Sequence, residues 1–436
     1  MQTVINRISN ISFAFLICLI DAACSAKVSV DESLTQYTNA IWWDGEKSFA
    51  GPMYVNNGIF VAGEDQRPGT TIDLNGAVVT APFAEGHNHN LMEQLFDDAN
   101  EAYLEQGVFY VKAPAIYPPA INSVRPRLER PDTVDAIFSM GGLTSLGGHP
   151  VSLFVNVLSG SVYEKLAFED FAGMAFHEID SLEKIDPALD VIESQGADFV
   201  KLFMLYAEDY EQPDFVQGRG LNPIFVRPIV ESAHKRGLPV TAHVQSAYDF
   251  GIAVAAGVDE IAHLPGYYWR EEHERYRHRI TDAEAVATVA AGVAVVTSTL
   301  FPQGYADDER KALIRETQVA NLRKLLDAGV ELRIGSDIYD RKQTGEDRYA
   351  TRSELLNLVE LGVMDASMAL ATWIATGRAI FPERKIACFD PGCEASFLIF
   401  DHDPREDITE LLRIRNAVKQ GVEVGRKINA KIDLAS

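Results

Sequence analysis

The residues best suited to chemistry are histidines and one aspartate, each standing where a strand pattern gives out, and one lysine inside such a pattern. His87 and His89, in Pro82-Phe-Ala-Glu-Gly-His-Asn-His-Asn90, are two apart at the end of an apolar run. Strand alternation puts both rings on one side, where one metal ion could take both. His243 ends Val240-Thr-Ala-His, His263 ends Val258-Asp-Glu-Ile-Ala-His, and Asp337 ends Leu332-Arg-Ile-Gly-Ser-Asp. Imidazole and carboxylate donors favour zinc or a similar transition metal over calcium or magnesium. Lys201 lies inside Ala197-Asp-Phe-Val-Lys-Leu-Phe-Met-Leu205, whose apolar texture on both faces marks a buried parallel strand. A bare ammonium there is costly to desolvate, and two readings stay open. Burial lowers the lysine pKa and frees the amine to form a carbamate with carbon dioxide, a bridging carboxylate for two metals. Alternatively the ammonium pairs with a carboxylate such as Asp198 or Glu208.

The elements that must position these groups follow from the surrounding texture. From Lys27 to Thr80 short strand-like runs alternate with turn residues: Asn39–Trp43, Met53–Val55, Gly58–Ala62 and Thr71–Thr80. From Pro82 to about Pro382 the pattern becomes apolar strand, then amphipathic helix, repeated. Arg227–Gly237 reads as a helix leading to the strand Leu238–His243, and Asn321–Gly329 as a helix leading to Leu332–Asp337. Helix, glycine cap and strand ending on a polar residue is the grammar of a parallel sheet. A span of about 300 residues in that grammar suits a (β/α)8 barrel with long loops, and barrel enzymes gather their active sites at strand C-termini. Strand patterns return in Ala395–Phe400 and Asn416–Val424. The expected organisation is a signal segment over 1–26, a β-rich part over 27–81, the α/β barrel over 82–382, and a second β-rich part over 383–436 that pairs with the first.

Composition narrows the function. Across 436 residues, 47% hydrophobic and 23% charged side chains exclude extended disorder. The 63 acidic against 39 basic residues give a formal charge of −24, which repels nucleic acid and anionic membrane. The expected partner is a small-molecule substrate, with no organic cofactor. The apolar run Ile11–Ile20 is too short to span a bilayer and has the size of a signal-peptide core, with small residues for cleavage near position 26. The expected mature chain is exported, periplasmic or secreted, without membrane insertion, and a lipid tether on Cys24 stays open. Cys18 and Cys24 fall in the signal region, leaving Cys388 and Cys393 around the turn Phe389-Asp-Pro-Gly392, where a small disulfide and two separate thiols are both open.

The order His-x-His, Lys, His, His, Asp at strand ends resembles the binuclear pattern of the amidohydrolase superfamily, over nearly the whole mature chain. The sequence looks most like its imidazolonepropionase-like and prolidase-like branch, through Gly147-Gly-His-Pro150, Ala233–His243, Leu326–Asp337 and the tail Asp390–Asp401. The resemblance implies a (β/α)8 barrel with a small β-sandwich built from both termini, and two divalent ions, zinc by preference. It implies that His87 and His89 hold the more buried ion, His243 and His263 the other, that carbamylated Lys201 bridges them, and that Asp337 is ligand and proton shuttle. The first motif departs from the family in reading Glu85-Gly-His-Asn-His-Asn90 where relatives carry Asp-x-His-Thr-His, and the tail has Ala395-Ser396 where Ala-Asp is usual.

The implied activity is hydrolysis of a small amide-type bond, a dipeptide or N-acyl amino acid being favoured by export. A cyclic amide or lactone hydrolase and a deaminase are alternatives on the same fold. Deaminase sites usually manage with one metal and no bridging lysine, so Lys201 discriminates. The rival from another class is a non-catalytic periplasmic binding protein. His149 is expected to face substrate or to pack its loop; Tyr110, Tyr206, Tyr267 and Tyr268 are expected just past strand ends, where they could line the pocket. His234, His273, His278 and His402 read as solvated surface.

Overall fold

The computed structural model describes residues 30–63, 67–163, 165–212, 219–267, 272–300, 308–338 and 350–424. The expected signal segment with Cys18 and Cys24, and Tyr268, lie outside the described residues, as does the side chain of His273. No helix among the described residues is long and apolar enough to cross a membrane.

β-Branched and aromatic residues make β1 (Val30–Trp43) the spine of the first sheet, with Leu34, Tyr37, Ala40, Trp42 and Trp43 buried. It pairs in parallel with β5 (Arg67–Thr80) and antiparallel with β2 (Ser48–Ala50) and β3 (Met53–Asn56), while β3 pairs with β4 (Ile59–Val61). The other edge of β5 takes β16 (Phe397–Phe400) antiparallel, with Leu398 opposite Thr80, followed by β17 (Asn416–Lys419) and β18 (Val422–Glu423). Strands from both ends of the chain thus share one eight-stranded sheet. The run 416–424 is a hairpin and not one strand: Gln420 and Gly421 adopt φ of 52° and 75° and reverse the chain. Two successive positive φ values match the twist of a tight antiparallel turn. Trp42 packs edge-on against Phe60, Phe389 and Phe397 at ring distances of 6.2, 5.2 and 5.3 Å. Beside this aromatic core Cys388 and Cys393 are joined in a disulfide.

The middle of the chain is α/β with parallel strands. β6 (Phe83–Glu85), β7 (Val108–Ala113) and β8 (Asp135–Phe138) form one parallel sheet. β9 (Gly142–Thr144), β10 (Phe176–Glu178), β11 (Val200–Phe203), β12 (Val240–His243), β13 (Glu260–Ala262), β14 (Ala294–Val296) and β15 (Leu332–Arg333) form a second, in the order β10-β9-β11-β12-β13-β14-β15. Nearly every residue of these strands is buried, which is why their sequences lack alternation. The expected helices appear as Pro223–Lys235 and Asp308–Ala328, closed by Gly237 and Gly329 at φ of 74° and 87°. Helix Ala366–Ile380 covers β6, where Trp373 stacks on Phe83 at 4.0 Å and donates its indole N–H to the Ala84 carbonyl at 2.6 Å.

Candidate active site

The strands aim the chemistry without containing most of it. His243 is the last residue of β12, but β6 stops at Glu85, β13 at Ala262 and β15 at Arg333, so His87, His89, His263 and Asp337 all lie on the turns beyond. The two rings of the His-x-His motif are therefore placed by a loop and not by strand alternation. Two of these residues, His263 and Asp337, take left-handed φ of 74° and 53°. Such conformations cost roughly 1 kcal/mol or more for a non-glycine residue and persist only where the surroundings hold them.

The holding is visible at the junction between the two parallel sheets. Gly86 N–H donates to the Ile334 carbonyl at 2.8 Å and Asp337 N–H to the His87 carbonyl at 2.9 Å. A side chain at Gly335 would meet the His87 nitrogen at 2.8 Å, so only glycine permits this approach. Glu85 locks it: one carboxylate oxygen accepts from His87 N–H at 3.0 Å and Ser336 N–H at 2.8 Å, the other from the Ser336 and Thr351 hydroxyls, both at 2.6 Å. Burial pushes the Glu85 carboxyl up to about 7, against the pull of those donors. Asn88 adds a bond from its amide to the Ile338 carbonyl at 2.9 Å.

Within this frame the six singled-out side chains converge. The ring of His87 is 5.4 Å from that of His89 and 4.7 Å from that of His263, and His263 is 4.8 Å from His243. Lys201 Nζ lies 3.3 Å from His87 Nε2. Asp337 Oδ1 is 3.1 Å from His89 Nε2 and its Oδ2 is 3.5 Å from His263 Nε2. Donor atoms of His87, His89 and Asp337 all fall within 4.8 Å of one another. Lys201 is 1% exposed, and burial pushes its amine down to about 7. Asp198 is engaged by Arg125 at 3.2 Å and Glu208 by the Ser246 hydroxyl at 2.9 Å, so neither carboxylate proposed as its ion-pair partner is spent on it.

These residues suit a metal. Burial holds His87, His243 and His263 well below the ordinary imidazole range, so they present neutral rings. His87 Nδ1, His243 Nε2 and His263 Nδ1 are buried and have no hydrogen-bond partner among the described residues. Unsatisfied buried nitrogens are uncommon in a folded protein unless a ligand uses them.

Around the cluster the outcomes differ. His149 packs beside it, with its ring 5.8 Å from His243. Tyr267 is at its heart: its hydroxyl donates to Asp337 Oδ2 and its ring stacks on His263 at 4.1 Å. Tyr110 is not past a strand end but inside β7, with its hydroxyl 3.4 Å from Glu394 and its ring against Phe381, a packing position on another side of the strand. Tyr206 sits beside His278 at 6.0 Å. His278 is not surface: it is fully buried with Nδ1 3.2 Å from the Gln245 carbonyl, because one face of the short helix Glu272–His278 turns inward. His234 is half-exposed and pairs with Asp259 at 2.8 Å, and His402 is exposed.

Several supporting residues escaped the sequence reading. Asp249 is buried and accepts N–H bonds from Tyr206 and Ala207, both at 2.8 Å, and from Gln245 and Ser246 at 3.1 and 3.0 Å, tying the turns after β11 and β12 together. Glu354 does the same for Thr299 and Leu300 after β14. The signal for Asp249 was its place three residues after Ser246, a capping box; Glu354 carried none. His177, on β10, is buried with Nε2 unpartnered among the described residues.

The sequence profile of the amidohydrolase family matches residues 179–424, more than half of the chain. The chain belongs to the amidohydrolase family, and is a hydrolase acting on carbon–nitrogen bonds. Members of that family usually bind metal ions. Among solved structures, the chain is similar to phenylurea hydrolase B, at 18% identity and a TM-score of 0.70 over 91% of this chain and 97% of that one. It is also similar to a prolidase complexed with N-methylphosphonate-L-proline, at 18% identity and TM-score 0.68 over 90% of this chain and 100% of that one. The ochratoxinase of A. niger gives 16% identity and TM-score 0.67 over 90% and 96%. At these identities the likeness is one of fold. No curated protein matches this sequence.

Proposed function

We propose that this protein is an exported, metal-dependent amidohydrolase that cleaves a dipeptide or an N-acyl amino acid. The observation that carries the reading is the convergence of four histidines, one buried lysine and one aspartate, several of whose buried nitrogens have no partner among the described residues. The proposed frame is a (β/α)8 barrel made by β6, β7, β8 and β11 to β15, over 82–382, with the shared terminal sheet as the small β domain from 27–81 and 383–436. Bonds across both gaps between the parallel sheets support closure: Gly86 N–H to Ile334, and Asp198 N–H to the Phe138 carbonyl, each at 2.8 Å. The similar prolidase structure and the disulfide, a bond that persists in oxidising compartments, support the substrate class and export.

His87 and His89 would hold one ion, His243 and His263 a second, with Asp337 as a further ligand and Lys201, carbamylated by carbon dioxide, between them. Zinc is the preferred metal for this donor set. Bound there, the metals would polarise the scissile carbonyl and acidify the attacking water. Asp337 takes the proton of that water and returns it to the leaving nitrogen as the carbon–nitrogen bond breaks. His149 flanks the space beside His243 and orients the substrate.

Zinc- or manganese-loaded protein is to be assayed against a library of dipeptides and N-acyl amino acids. Turnover of members of that library is expected. Turnover confined to cyclic amides, lactones or aminated heterocycles would move the substrate class, and inertness on every panel would revive the binding-protein reading. Intact mass of protein from a secreting host tests export: a chain beginning near residue 27 is expected, and a retained Met1 ends that part of the proposal.

A further inference from the structure

The two oxygens of Asp337 have different neighbours. One oxygen faces His89, at 3.1 Å from Nε2; the other accepts a hydrogen bond from the Tyr267 hydroxyl and lies 3.5 Å from His263 Nε2. Tyr267 is 6% exposed, and its ring is fixed twice over. It stacks on His263 at 4.1 Å with an interplanar angle of 24°, and stands edge-on to His243 at 5.6 Å. Its backbone is fixed as well. Tyr267 N–H bonds to the Leu264 carbonyl at 3.1 Å and Gly266 N–H to the Gln245 carbonyl at 3.0 Å, which folds the turn after β13 back over the turn after β12.

A carboxylate on a one-carbon stem rotates easily about its last bond, so a proton carrier at the end of a strained turn needs something to fix its plane. We propose that Tyr267 is the positioning residue for Asp337: its phenol, by donating to Oδ2, fixes the carboxylate so that the proton is taken from water and delivered to the leaving nitrogen along one geometry. The phenol keeps its own proton throughout. The proton taken from water goes onto Asp337 as the new carbon–oxygen bond forms, and leaves for nitrogen as the carbon–nitrogen bond breaks. Tyr267 thus acts through another residue and is not a lining group for substrate. The inference rests on the reading of Asp337 as the proton carrier.

The test is a double-mutant cycle of Tyr267→Phe and Asp337→Asn in the zinc-loaded protein, with metal content measured for every variant. The substrates are the best dipeptide from the library and the p-nitroanilide of its acyl half, whose leaving group needs little protonation. Tyr267→Phe is expected to lower kcat on the dipeptide by roughly 10- to 100-fold, the scale of a misplaced reacting group. KM should stay within about threefold, metal content should be unchanged, and the p-nitroanilide should lose far less. In the Asp337→Asn background Tyr267→Phe should cost nothing more, since coupled residues are not additive. An equal loss with and without Asp337, an unchanged kcat, or a loss of metal each overturns the positioning role. A near-wild-type Asp337→Asn would instead overturn the reading beneath it. Should Tyr267→Phe fold poorly by its thermal midpoint, Tyr267→His, which retains an N–H donor, is expected to keep more rate than Tyr267→Leu, and equality of those two overturns the role.

Discussion

Two of the lysines buried among the described residues, Lys112 and Lys201, have opposite surroundings. Lys112 donates to Glu260 at 2.7 Å and to the Thr241 hydroxyl at 2.8 Å, and Glu260 also takes Arg333 at 2.6 Å. Lys201 has His87 Nε2 at 3.3 Å, beside rings of which His87 Nδ1, His243 Nε2 and His263 Nδ1 find no partner among the described residues. Thr241 stands two residues before His243 on β12, and Glu260, on β13, three residues before His263 on the turn that follows, so the closed cluster and the open one are neighbours. In the first, every charge is answered, and burial, which alone would raise Glu260, is overcome by Lys112 and Arg333, which hold it down to about 2. In the second, those ring nitrogens stay open among the described residues. A saturated buried network is structure; an unsaturated one that gathers four imidazoles, an amine and a carboxylate has the makings of a site.

The comparison breaks most visibly at Asp337. Asp337→Asn keeps the shape of the side chain and removes the base, so kcat should fall by roughly 10²- to 10⁴-fold, the usual worth of a general acid–base group. KM should change little, and steady-state kinetics at matched metal content reads the split.

Next come the lysines themselves. Lys112→Met should lower folding stability by about 3 kcal/mol, because it leaves Glu260 with Arg333 as its remaining cation. Metal content should be kept, as denaturant unfolding and elemental analysis would show. Lys201→Ala should do the reverse: metal and rate fall, stability hardly changes, and short carboxylic acids restore part of the rate. If both variants lose stability and neither loses metal, the two clusters are of one kind.

Acid should then dissect the buried groups in two stages. Burial holds His177 and His278 down to about 4 from an ordinary 6.5, so the unfolded chain binds more protons between those values. Their contribution is complete above pH 6.5 and is lost as pH falls towards 4. Glu260, at about 2 against an ordinary 4.5, contributes fully above 4.5 and loses its share as pH falls towards 2. Thermal midpoints across pH 7 to 2 should show both stages, and His278→Gln should flatten only the first. An unchanged upper stage in His177→Gln/His278→Gln would place its origin elsewhere.

The smallest effect is expected where a histidine is paired but wet. His234→Ala breaks its bond to Asp259 in a half-exposed pair and should cost no more than about 1 kcal/mol, with activity unchanged.

Much of this was legible in the sequence, and particular residues show why the rest was not. The parallel α/β middle followed from apolar runs and glycine-capped helices such as Pro223–Lys235, and the side chains that converge from donor types along and beyond those runs. Local pattern misplaced His278, because charged neighbours describe a segment's average exposure and not the one face of a short helix that turns inward. It also placed Tyr110 past a strand end when β7 continues to Ala113.

The sequence by itself therefore determined which residues are available for chemistry and in what order they leave their strands, since those are properties of residue type and local period. Tertiary structure alone decided that His263 and Asp337 turn left-handed, that Glu85 locks two turns about 250 positions apart in sequence, and that Tyr267 reaches Asp337. Each of these is locally unfavourable or locally silent. It exists because contacts between distant segments outweigh what any one segment prefers.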